Sequence, residues 1–138
     1  MKKLPSTLAV IAVFTPFLAL AAAPENFSGE WADKNYHGNA VFELSVEQNG
    51  SEIAVVFSAN RTDGSGAAPE ADGKGKIAGK GALNFTWSDS FGNAGKGTIR
   101  KAGGDVIVSI KATTVADSRC LEFYGSNIRL KPAGKKAG

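Results

Sequence analysis

Apolar side chains recur at every second position through long stretches of this chain, and that spacing leaves few folds open. Phe42, Leu44 and Val46 alternate with Val41, Glu43, Ser45 and Glu47, and Ile53, Val55 and Phe57 with Glu52, Ala54, Val56 and Ser58. Leu83, Phe85 and Trp87 alternate with Asn84, Thr86 and Ser88, and Val106, Val108 and Ile110 with Asp105, Ile107, Ser109 and Lys111. Successive side chains of a β-strand point to opposite faces. Each set therefore offers one apolar face to a core and a mostly polar face to water. No apolar stripe of helical period and useful length competes with this pattern.

Turn chemistry punctuates the same segments. Asn49-Gly50 separates the first two runs, and Ala102-Gly103-Gly104-Asp105 and Gly92-Asn93-Ala94-Gly95 mark two further hairpins. Weaker strands are expected over 27–33, with Phe27, Gly29 and Trp31 on one side, and over 74–78 and 97–101, each loosened by glycine. A last strand over 121–131 changes face, since Leu121 and Phe123 are out of phase with Ile128 and Leu130; a bulge near Gly125 would restore the register. The segment 61–73 reads as the longest loop and a mobile one. The sum is an all-β domain of about eight antiparallel strands in meander order, an up-and-down barrel, with a β-sandwich as the alternative.

The N-terminus reads as a segment to be removed. Lys2 and Lys3 precede an apolar run over 8–20, Ala19, Ala21 and Ala23 offer small side chains at alternate positions, and Pro24 follows. That is the pattern of a secretory signal peptide over residues 1–23. The barrel domain then occupies 24–131 and a flexible tail 132–138, and the protein is expected outside the cytoplasm, periplasmic or secreted. The chain has 16 basic and 13 acidic residues; Lys2 and Lys3 leave with the signal, so 14 basic face 13 acidic, a net +1. A domain so near neutrality is not expected to bind nucleic acid. No membrane span is expected, because the apolar run is shorter than the roughly 20 residues a helix needs to cross. Cys120 is the one cysteine, so no internal disulfide forms, and a buried, inert thiol is the favoured reading.

The start of the mature domain, Phe27-Ser28-Gly29-Glu30-Trp31, resembles the Gly-x-Trp opening strand of the calycin group, which holds the lipocalins and the avidin-like barrels. That resemblance implies a meander barrel with a tryptophan packed across its closed end and a pocket at the other. The chain also departs from those families. It has only Trp31 and Trp87 where avidin-like sites use several tryptophans, and no helical segment follows Leu130 where large lipocalins carry one. Small exported bacterial inhibitors of lysozyme also use β domains, but the paired cysteines of those families are missing here.

Reactive groups are scarce. His37, beside Tyr36 and Gly38, is the only histidine, and pairing it with Cys120 lacks an orienting third group. No nucleophile-elbow sequence singles out a serine. One histidine and one cysteine cannot supply a structural zinc site, and Asp63, Ser65, Glu70 and Asp72 follow no recognised calcium spacing. Asn26, Asn49, Asn60 and Asn84 begin glycosylation sequons, which carry no weight in what reads as a bacterial format.

The most distinctive surface feature is Ser88-Asp89-Ser90-Phe91-Gly92-Asn93, with a large apolar residue at a hairpin tip. In one reading Phe91 touches a ligand or partner while Asp89 and Asn93 supply polar contacts. In the other Phe91 plugs the barrel and the two polar side chains satisfy turn backbone. Trp87, Tyr36 and Tyr124 complete the candidate binding set, the two tyrosines for their apolar bodies and polar tips. The expected function is therefore binding without catalysis, cofactor or metal, the partner being a small apolar or amphipathic molecule. The alternative is a protein-interaction role, as an enzyme inhibitor or immunity-type protein.

Overall fold

The computed structural model describes residues 25–134, so the expected signal peptide and the end of the tail, 135–138, lie outside the described residues. Eight strands follow one another as β1 (Gly29–Tyr36), β2 (Ala40–Asn49), β3 (Glu52–Arg61), β4 (Glu70–Gly79), β5 (Ala82–Asp89), β6 (Ala94–Ala102), β7 (Asp105–Thr114) and β8 (Ile128–Pro132). Every neighbouring pair is antiparallel, and β8 returns to β1, so the sheet closes into an up-and-down barrel. The sandwich alternative is thereby set aside. Among the described residues no helix is long and apolar enough to cross a membrane.

The alternating runs face as their chemistry dictates. Phe42, Leu44, Val46, Ile53, Val55 and Phe57 point inward and are buried, while Glu43, Glu47, Glu52 and Val56 between them are exposed. At the tight hairpins glycine supplies a backbone that other residues resist. Asn49 pairs with Glu52, so the two turn residues are Gly50 and Ser51, not Asn49 and Gly50, and only Gly50 has a positive φ, 64°. Ala102 likewise pairs with Asp105 around Gly103, whose φ is 67°. Positive φ at the first turn residue alone is the type II′ pattern.

Glycines also decide how the wall packs. The inward positions of β4 and β6 include Gly73, Gly75, Gly95 and Gly97. A Cβ on Gly97 would stand 2.2 Å from the Phe85 ring, and one on Gly73 would stand 1.7 Å from the Thr86 carbonyl oxygen. β4 and β6 therefore settle directly against β5, whose Leu83, Phe85 and Trp87 fill the space their neighbours leave.

Two expectations need correction. The loop between β3 and β4 is only 62–69, because β4 begins at Glu70, well before the expected residue 74. Its ends are held: the Thr62 N–H donates to the Asn39 carbonyl at 2.9 Å, Ala67 and Pro69 are buried, and the Pro69 carbonyl accepts from the Ala59 N–H at 3.1 Å, while 63–66 are exposed. The stretch expected as one bulged strand over 121–131 is two elements. Ser118–Phe123 forms a 3₁₀-helix, and only Ile128–Pro132 joins the sheet. Asp117 caps the helix by accepting from the Arg119 N–H, while Cys120 is buried beneath the helix and Phe123 joins the core cluster. The phase change between Phe123 and Ile128 is thus a change of element.

Both barrel ends are covered. At the end holding the β2–β3, β4–β5 and β6–β7 turns, the segment before β1 crosses the opening with Phe27 buried beneath it. The Phe27 N–H donates to Gln48, the Gly81 N–H to the Glu25 carboxylate, and Lys101 to the Asn26 carbonyl. Phe27 is therefore part of this plug and not of β1. Trp31 lies at the same end, its indole N–H donating to the Gly104 carbonyl at 3.2 Å. The 3₁₀-helix covers the opposite end.

Candidate functional site

The six candidate residues, scattered from Tyr36 to Tyr124 along the chain, meet at the helix-capped end. Trp87 and Asp89 finish β5, Phe91 and Asn93 follow on the β5–β6 turn, Tyr36 ends β1, and Tyr124 follows the 3₁₀-helix. An aromatic chain links them to the core. Tyr36 meets Phe42 edge-on at 5.3 Å, Phe42 stacks on Phe57 at 5.8 Å, and Phe57 meets both Trp87 and Tyr124. Trp87 and Tyr124 lie 5.0 Å apart, edge to face. The Tyr36 hydroxyl donates to the Phe123 carbonyl at 2.7 Å, and the Trp87 indole N–H to the Lys96 carbonyl at 3.0 Å.

Asp89 and Asn93 form the polar centre of this end. One carboxylate oxygen of Asp89 accepts from the Phe91 and Asn93 N–H groups, each at 2.9 Å. The other accepts from the Asn93 amide at 2.9 Å and the Tyr124 hydroxyl at 2.7 Å. Asn93 is 0 % exposed, the one buried polar residue among those described. Its amide nitrogen donates to Asp89 and to the Asp117 carbonyl, and its oxygen accepts from the Ala116 and Asp117 N–H groups at 2.7 and 2.9 Å. Both side chains are thereby saturated. They clamp the β5–β6 turn to the segment leading into the helix, and neither has bonding capacity left for a ligand.

Titration behaviour follows from this packing. Burial alone would raise the Asp89 pKa, but the hydrogen bonds from Tyr124, Asn93 and the turn amides outweigh it and hold the carboxyl below its ordinary value. Burial, then the bond to Asp89, pushes the Tyr124 hydroxyl upward. Burial followed by the charge of Asp33 raises Tyr36 to about 12. The Cys120 thiol, unpaired and buried, rises to about 11 through burial and then the charges of Asp89 and Asp117. Such a thiol is almost wholly protonated at neutral pH and a poor nucleophile. His37 is exposed in the β1–β2 turn, with its ring stacked on Tyr36 at 3.9 Å.

Outside this clamp the capped end carries apolar side chains. Val115 is 50 % exposed and Leu121 37 %, and the Arg119 guanidinium lies 5.6 Å from the centre of the Phe91 ring. Around them Asp117 pairs with Arg119 at 2.6 Å, and Arg61 pairs with Glu122 at 2.6 Å. Leu121 is hidden in the sequence because it falls within what reads as the last strand, 121–131. The signal available was Asp117 ahead of Ser118-Arg119, an N-cap residue before a short helix.

The interior beneath offers little room. Phe42, Phe57, Leu83, Ile99, Val108, Phe123 and Leu130 are each 2 % exposed or less and lie in one cluster with Trp87 and Phe85. Concavities lie on the outer wall, over β4–β7 and beside Trp31. In the loop between β3 and β4, Asp63 accepts from both the N–H and the hydroxyl of Ser65, closing a local turn. No protein family, curated protein or solved structure matches this chain.

Proposed function

We propose that this is an exported, non-enzymatic binding protein that engages a protein partner through the helix-capped end of its barrel. The observation that carries this reading is that Val115 and Leu121 are exposed at the same barrel end as Phe91, where the Asp89–Asn93 clamp is saturated with hydrogen bonds. Exposed apolar side chains rimmed by Arg119, Asp117, Arg61 and Glu122 match the apolar centre and polar rim of protein interfaces. The Asp89–Asn93 clamp holds that surface in one shape, which lowers the ordering cost of association. Such an arrangement suits an inhibitor or immunity-type protein, which acts by covering a surface of its target.

The filled core supports an outside site over a small molecule held within the barrel. The likeness to the calycin group enters as architecture: an eight-stranded meander with Trp31 over one end. Neither the lone buried thiol nor the exposed His37 has the neighbours that nucleophilic chemistry needs.

Native mass spectrometry of the protein purified from its own host tests the reading. The expected result is a barrel free of small molecules and a one-to-one complex with a protein. That complex is lost in Leu121→Asp while the protein stays folded with only a small fall in melting temperature, because Leu121 lies at the surface of the cap and outside the core cluster. A retained small molecule without a protein partner would overturn it, and so would a complex indifferent to Leu121→Asp.

A further inference from the structure

The outer wall over β4–β7 has a chemistry unrelated to the capped end. The strand registers place Lys74 opposite Thr86, Thr86 opposite Lys96, and Lys96 opposite Lys111, so one cross-strand row carries three lysines over four strands. The next row runs Lys76, Asn84, Thr98, Ser109, adding a fourth lysine flanked by amide and hydroxyl groups. All four lysines are exposed, and among the described residues none joins an ion pair. Lys96 and Lys111 face each other directly on neighbouring strands, an arrangement that destabilises a sheet. A local rule broken with no compensating partner marks a place where function outweighs stability.

The shape of the wall adds to this. Inward glycines draw β4 and β6 against β5, and the outer surface over β4–β7 holds an open depression of about 850 Å³, its lysines and hydroxyls lying over an apolar floor that includes Ile77 and Ile110. Neighbouring strands lie about 4.8 Å apart, so Lys74 and Lys111 are separated by roughly 14 Å along the row.

We propose that this groove binds a linear anionic polysaccharide, its carboxylate or sulfate groups on the lysine row and its hydroxyls on Asn84, Thr86, Thr98 and Ser109. Lysines act as flexible point charges suited to such anions. No aromatic side chain faces outward on these strands, so the stacking platform that single-stranded nucleic acid uses is missing there. A concave wall holds its charges back from a flat bilayer, whereas an extended chain can lie along it. The opposite wall carries exposed Glu30, Glu43, Glu47 and Glu52, which repel the same polymer and leave it one docking direction.

Titration calorimetry with polygalacturonate, run against neutral dextran, duplex and single-stranded oligonucleotides and phosphatidylglycerol vesicles, tests the proposal on the whole mature protein. Polygalacturonate is expected to bind with an affinity that falls steeply with salt. The double variant Lys96→Gln, Lys111→Gln should weaken binding about tenfold or more and flatten the salt dependence. Its melting temperature should equal or exceed that of the parent, since a like-charge pair has gone. Affinity within about twofold of the parent, equal binding of dextran, or tighter binding of an oligonucleotide or vesicle would overturn the proposal. So would a lower melting temperature in the double variant. Sedimentation showing self-association of the protein alone, lost in this variant, would assign the groove to the acidic wall of a second copy and overturn it too. Leu121→Asp should leave polysaccharide binding unchanged, which separates this site from the capped end.

Discussion

Asn93 makes as many hydrogen bonds through its side chain as an amide can, and it makes them between segments that no sheet register joins. Its bonds to Ala116 and Asp117 span 23 and 24 residues, and its bond to Asp89 closes the β5–β6 turn. Asn93→Ala would leave two N–H groups and a carbonyl at the 116–117 corner without these partners. The expected loss of stability is about 3 kcal/mol, measured by urea unfolding. Asp89→Asn is expected to cost less, about 1–2 kcal/mol, because an amide oxygen still accepts part of the same set. A loss for Asn93→Ala no larger than for an exposed substitution such as Thr98→Ala would mean that the clamp does not hold the cap. That Asp89 and Asn93 satisfy turn backbone was one of the two readings open at the sequence level. The reach of Asn93 to residue 117 was not legible, since a single side-chain bond between distant loops leaves no periodic trace.

At the scale of elements, legibility followed period. The four strands with clean alternation, β2, β3, β5 and β7, were readable because one-sided burial forces a two-residue repeat. β4 and β6 were readable only in part, because glycines stand where the repeat calls for an inward side chain. Gly97 yields to the ring of Phe85, Gly75 to Leu83, and Gly73 and Gly95 to the backbone of the neighbouring strand, a role that shows only when the strands are brought together. Gly97→Ala would place a Cβ 2.2 Å from that ring. The expected cost is about 2–3 kcal/mol, with a visible change in near-ultraviolet circular dichroism as Phe85 and its neighbour Phe57 shift. Gly103→Ala is a useful contrast. It has open space around it but a φ of 67°, so it should cost only about 1 kcal/mol, through backbone strain. Equal effects would mean that turn geometry, and not the glycine-lined wall, limits stability. The 3₁₀-helix escaped sequence reading for a different reason. Six residues are too few to show a helical period, and Leu121, Phe123, Ile128 and Leu130 lie close enough to pass for one irregular strand.

For the whole molecule, net charge proved a poor guide to surface chemistry, because a sum near zero is compatible with an acidic wall on β1–β3 and a basic groove on β4–β7. The alkaline limb of the pH dependence of stability is set elsewhere, at the capped end, where burial first of all raises the pKa values of Cys120, Tyr36 and Tyr124. Each is neutral when protonated, so below its unfolded value both states hold the proton and the full stability is present. Above that value the unfolded chain ionises first and draws the equilibrium toward itself. Cys120 acts from an ordinary value of 9.0 up to about 11, and Tyr36 from 10.0 up to about 12. Tyr124 starts with Tyr36 and continues further. Unfolding free energy should therefore hold level through neutral pH, begin to fall near pH 9, and steepen above 10. Each titrating group contributes a slope of about 1.4 kcal/mol per pH unit. Urea unfolding followed from pH 7 to 11 measures this. Cys120→Ala should delay the onset of the fall to about pH 10, and Tyr36→Phe should reduce the slope above that point while leaving the onset alone. A level curve to pH 11 would mean that water reaches these three groups in the folded state, and with it the sealed base on which the proposed partner surface rests.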